Sequence, residues 1–67
     1  MITVEDFIEY SVDKDWQKFT LYDVDTGYEV FTGIIDDCPD KYREAEVCSF
    51  DVIDKMSPRL TLNITLE

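Results

Sequence analysis

The stretch "RLTLNITLE", residues 59–67, sets Leu60, Leu62, Ile64 and Leu66 against Thr61, Asn63 and Thr65 without a break. A period of two sends the apolar side chains to one face of an extended strand and the polar ones to the other. A strand with one dry face must join a sheet, and that sheet must have something laid over its apolar side. The rest of the chain has to supply the partner strands and the cover.

Two partner strands flank a turn. "FTLYDV" and "YEVFTGI" are rich in β-branched and aromatic residues, and "DTG" between them carries turn chemistry, which predicts a hairpin over 17–24 and 28–35. The same segment places Asp23, Asp25 and Gly27 at the alternating spacing of a calcium loop. Such a loop needs Gly at its sixth position and a bidentate Glu at its twelfth. Counted from Asp23, Gly27 falls fifth and Ile34 twelfth, so the metal reading fails and no metal site is expected. In the turn reading, Asp25 accepts a bond from a backbone N–H ahead of it and Gly27 takes a positive φ. Phe19 and Leu21 share one face of the first strand, and Trp16 and Tyr22 the other if that strand runs without a bulge. "EVCSFDVID", 46–54, reads as a further strand, with "KMSP", 55–58, turning the chain toward the last one and Pro58 ending the pairing.

The cover is a helix over 3–12. Thr3 suits the N-cap, Asp6 completes an imperfect capping box, and Ile2 and Phe7 take the positions of a hydrophobic staple. Val4, Phe7 and Ile8 make an apolar stripe at helical spacing, and "DKD", 13–15, ends the element. In the connection "DDCPDKYREAE", 36–46, Pro39 opens one or two helical turns anchored by Tyr42, with acids gathered at the positive end of the dipole. The order predicts an α+β fold, a single domain over 1–67, with the N-terminal helix packed on a four-stranded, mainly antiparallel sheet.

Sixteen acidic residues against six basic ones give a net charge of −10, which opposes compaction and disfavours direct contact with nucleic acid or an anionic membrane. At 45% hydrophobic and 13% aromatic residues the chain still folds rather than remaining a disordered acidic tail. No segment has the length of an apolar membrane span, and "MITVEDFIEY" carries acids where a signal peptide carries bases. The expected location is therefore the cytoplasm, with Cys38 and Cys48 as reduced thiols and the "NIT" sequon at 63–65 without meaning.

Catalysis finds few tools here. There is no histidine to serve as a general base, and Asp36, Asp37 and Asp40 flank Cys38 and oppose its thiolate. Two cysteines without histidine cannot assemble the usual four-ligand zinc site of nitrogen and sulfur donors. "PD" at 39–40 opens like a metal-nuclease motif, yet Glu46 is followed by Val47 and Cys48 where that motif needs a lysine. Gly27 and Gly33 are the only glycines, too few for a phosphate loop. The expectation is a non-enzymatic protein without cofactors.

The acids themselves remain. Glu5 and Glu9, four apart on one helix face, are a like-charge pair that costs some tenths of a kcal/mol. A helical i, i+4 step of about 6 Å, or alternate strand positions about 6.8 Å apart, spans roughly two phosphate steps of a nucleic-acid strand. Rows of carboxylates can thus imitate a nucleic-acid field. Solubility alone accounts for an acidic surface as well.

The run from Tyr22 to Val52 resembles a type of short acidic protein encoded by phages and integrated elements of Gram-positive bacteria. The pattern is a strand ending in Tyr22 and Asp23, "G-x-E-V-F-x-G" from Gly27 to Gly33, an acidic "D-x-P" connection from Asp37 to Tyr42, and "E-V-x-S-F" from Glu46 to Phe50. By size and charge alone, such proteins are similar to anti-CRISPR and other anti-defence inhibitors. The resemblance implies a cytoplasmic inhibitor of a host defence nucleoprotein that docks carboxylates on a basic protein surface. The candidate partner-binding residues are Asp23, Asp25 and Glu29 on the hairpin and Asp36, Asp37 and Asp40 in the connection, with Trp16, Tyr22 and Tyr28 as anchors. The alternative is a small phage or element module that binds through its hairpin edge and exposed aromatics, and a homodimer stays open.

Overall fold

A computed structural model describes residues 1–53 and 59–66. Its elements are α1 (Val4–Tyr10), β1 (Lys18–Asp23), β2 (Glu29–Ile34), a 3-10 turn (Ile35–Asp37), α2 (Asp40–Arg43), β3 (Glu46–Ile53) and β4 (Arg59–Thr65). The "KMSP" turn lies outside the described residues. The four strands form one sheet in the order β2-β1-β4-β3, with both helices on one face, an α+β architecture.

The sheet is mainly antiparallel, as the sequence predicts, with one parallel pair: β1 and β4 run in parallel at the centre, while β2 and β3 pair antiparallel on either side. The connection explains this. Residues 35–45 are long enough to carry the chain across a sheet face, which a tight hairpin cannot do. Their apolar members pack inward, with Ile35 and Cys38 buried and Tyr42 and Ala45 against the core. The chain thus crosses from one edge to the other.

The helix begins where its cap dictates. The Thr3 N–H donates to Asp6 Oδ2 at 2.9 Å and the Asp6 N–H to Thr3 Oγ1 at 3.4 Å, a full capping box. Val4 and Ile8 are buried against Phe19, Leu21, Leu62 and Ile64. Burying side chains of this size stabilises by about 1.5–3 kcal/mol each, so this face carries the fold.

Two irregularities set which side chains face the core. The β3–β4 register shifts between Val47 and Ser49, so Val47, Phe50 and Val52 all oppose core-facing residues of β4 despite the odd spacing. A second shift, between Leu21 and Tyr22, leaves Val30 as the extra residue of β2. Near it the Phe31 ring crosses Gly33 to meet Phe19 edge-on; a Cβ on Gly33 would stand 3.2 Å from that ring.

The opposite face of the sheet is largely hydroxylic, with Tyr22 on it opposite Asn63, as expected. Thr20 and Thr61 are buried there, Thr20 and Thr32 share a 2.6 Å hydrogen bond, and Asn63 Nδ2 donates to Ser49 Oγ at 3.1 Å. Trp16, expected on that face of the first strand, lies outside β1 instead, because the chain is still turning at residues 12–16 and β1 starts at Lys18.

Candidate functional site

The hairpin turn is built by Asp23, not by Asp25 as expected. Asp23 Oδ1 accepts the Asp25 N–H at 3.0 Å, Asp23 Oδ2 accepts the Thr26 hydroxyl at 3.2 Å, and the Asp23 carbonyl accepts the Gly27 N–H at 2.7 Å. Gly27 has φ 76°, the left-handed conformation a turn needs and a side chain resists. Both Asp23 oxygens serve the turn, and Asp25 and Glu29 are exposed beside it. Tyr28, 74% exposed, stands at the same end.

Asp36, Asp37 and Asp40 follow β2 at its far end. The turn acids and the connection acids, named together as candidates for one partner-binding surface, stand apart by the length of β2, because a strand of six residues spans about 20 Å. What comes near Asp36 instead is the turn before β1: the Ile35 N–H bonds to the Gln17 carbonyl and the Asp36 N–H to the Lys14 carbonyl, each at 2.9 Å. That places Trp16, 62% exposed, at the connection end. Each end of the hairpin therefore carries three of the candidate acids and one exposed aromatic. Tyr22, half-buried, adjoins the turn end: it lines an open depression with Asp23 and Gly27 of the turn and with Ser49, Asp51 and Asn63 of the sheet. Lys18, paired with Ile34 at the connection end, is the only Lys or Arg of the hairpin, and none follows it until Lys41.

One residue that the sequence reading missed organises the connection. Arg43 Nη1 donates to Glu5 Oε2 at 2.9 Å, Nε to the Cys38 carbonyl at 3.2 Å, and Nη2 to the Asp36 carbonyl at 3.4 Å, while Nε lies 3.4 Å from Asp40 Oδ1. Among the described residues these are the only salt bridges. The signal was an i, i+3 Asp-Arg pair on a short helix, but nothing local revealed that the guanidinium also reaches α1. The hydrogen bond from Arg43 to Glu5 pushes the guanidinium's pKa above its ordinary value. Burial raises the Cys38 thiol, against the lowering pull of Arg43 and with Glu5 and Asp40 adding to the rise. A buried neutral thiol is a poor nucleophile.

No cluster of His, Cys, Asp or Glu suited to a metal ion occurs among the described residues. No helix among them is long and apolar enough to cross a membrane. Comparison of the chain with protein-family models, curated proteins and solved structures gave no match in any of the three.

Proposed function

We propose that this chain is a non-enzymatic acidic binding protein that occupies the basic surface of a nucleic-acid-handling host protein, with its carboxylates in place of phosphates. The observation that supports this is the two-ended hairpin: Asp23, Asp25, Glu29 and Tyr28 at one end, Asp36, Asp37, Asp40 and Trp16 at the other. The separation of about 20 Å matches roughly six phosphate steps along a nucleic-acid strand. Carboxylates held on a turn and on an Arg43-braced connection meet Arg or Lys with little ordering cost, and the summed field of −10 speeds encounter. Exposed Trp and Tyr rings beside the acids are the residue types that anchor interfaces. The role that fits is an inhibitor of a defence nucleoprotein, of the anti-CRISPR kind, acting in the host cytoplasm.

The test is affinity capture by the purified chain from a host lysate that contains CRISPR effectors, with mass spectrometry and nucleic-acid competition. The expected catch is a nucleic-acid-binding protein that releases at high salt and is displaced by its own nucleic acid. A complex indifferent to salt and to competitor would instead favour a structural module held by the hairpin edge and its aromatics.

A further inference from the structure

The edge of the sheet opposite the hairpin has a different chemistry. β3 is the outermost strand there, and residues 2–4 cover its first rungs: the Val4 N–H bonds to the Ala45 carbonyl at 3.0 Å and the Val47 N–H to the Ile2 carbonyl at 2.8 Å. After that the chain turns into α1 and leaves. Further along the edge, the Val52 N–H is taken by the carboxylate of its own neighbour, Asp51 Oδ1, at 2.8 Å. A local carboxylate thus stands where a neighbouring strand would offer a carbonyl.

The two faces of this edge also differ. Toward α1, Phe50 and Val52 are 59% and 55% exposed, and Phe50 meets the Phe7 ring edge-on at 5.4 Å. Ile2, Asp6, Phe7, Tyr10 and Ser11 line an open groove along the adjoining side of α1. On the other face, Ser49 and Asp51 oppose Asn63 and Thr61, and Glu46 opposes Thr65.

We infer that the edge of β3 takes an extended segment of a partner protein in which apolar residues alternate with Lys or Arg. Added as a fifth strand, such a segment sends its apolar side chains onto Phe7, Phe50 and Val52 and its cations toward Asp51 and Glu46. A partner carbonyl accepting the Val52 N–H releases the Asp51 carboxylate to a cation, so backbone pairing and charge pairing come together. A second copy of this chain fits poorly, because it brings like charges to the same edge and a further −10 to the complex. This surface lies across the sheet from the hairpin and does not depend on the function proposed above.

The test uses the intact chain, labelled for amide NMR, and four nine-residue peptides: one alternating Lys with Val and Leu, one of the same composition with its apolar residues grouped at one end, a neutral alternating one with Ser in place of Lys, and nonalysine. The alternating peptide should shift the amides of residues 48–53. Val52→Lys, at an exposed position, should weaken it at least tenfold, and Asp51→Asn should reduce the preference for Lys over a neutral alternating peptide. Tyr28→Ala should bind as the parent does. The inference is overturned if the alternating peptide does not bind, or if nonalysine or the grouped peptide binds equally well. Shifts confined to the hairpin, or self-association of the free chain through β3, overturn it too.

Discussion

Replacing Arg43 with Met keeps most of the aliphatic stem and removes every polar contact of the guanidinium. The Glu5 pair is partly solvated, with side chains 25% and 50% exposed, so it contributes at most about 1 kcal/mol. The bonds to the Cys38 and Asp36 carbonyls, at 3.2 and 3.4 Å, add about 1 kcal/mol for the shorter and less for the longer. The expected loss is about 2 kcal/mol, against a total stability of about 3–10 kcal/mol for 67 residues. Tm should fall by roughly 8–16 °C. Arg43→Lys keeps a charge for Glu5 but not the fork that reaches both carbonyls, and should recover less than half. Urea unfolding followed by Trp16 fluorescence, at low salt and at about 1 M salt, separates the two contributions, since screening removes the ion pair and spares the carbonyl bonds. An Arg43→Met chain within about 0.5 kcal/mol of the parent, below the range expected for even one such bond, would refute the reasoning. So would a loss that vanishes in salt.

Leu62→Ala should cost about 2–5 kcal/mol, because Leu62 is fully buried between Phe50 and Leu21; Thr65→Ala should be mild and Thr61→Ala intermediate, as Thr61 is buried beside Thr20. Equal urea midpoints for all three would show the facing of β4 to be wrong. Alkylation at neutral pH should mark exposed Cys48 first and Cys38 only on unfolding. Because burial raises the Cys38 pKa in the folded state, the unfolded chain alone sheds this proton above about pH 8.5, so stability falls as pH rises and Cys38→Ala flattens the fall in urea midpoint. Adding Ca²⁺ or Mg²⁺ should leave Tm unchanged beyond charge screening, since both Asp23 oxygens are held by the turn; saturable calorimetric binding that Asp25→Ala abolishes would contradict this.

Much of the framework was legible because it is local. The alternation at 60–66 marks Leu62 and Ile64 as core, and Thr3 with Asp6 marks the start of α1. Neighbours in the sheet were not legible, because a strand's own pattern does not say which strand it will pair with. The parallel β1–β4 contact follows from a crossover whose buried residues, Ile35 and Cys38, open and cap a short 3-10 segment with too few turns to show a period. The bulge around Cys48 hid the common face of Val47 and Phe50 for a similar reason, since it breaks the period of two. Each candidate acid was visible in the sequence, but their division between two ends was not: it follows from the direction in which β2 runs away from its turn.

On the function proposed above, the two hairpin ends form one electrostatic interface. The most direct test measures association rates with the captured partner across a salt series, comparing the parent with Asp36→Asn/Asp37→Asn/Asp40→Asn and with Asp23→Asn/Asp25→Asn/Glu29→Gln. Glu9→Gln is the control on the helix, because Glu5 is already engaged by Arg43. Each triple should slow association and flatten its salt dependence, and the combined set should do both more strongly. Rates untouched by either triple, yet binding abolished by Trp16→Ala or Tyr28→Ala, would contradict the account.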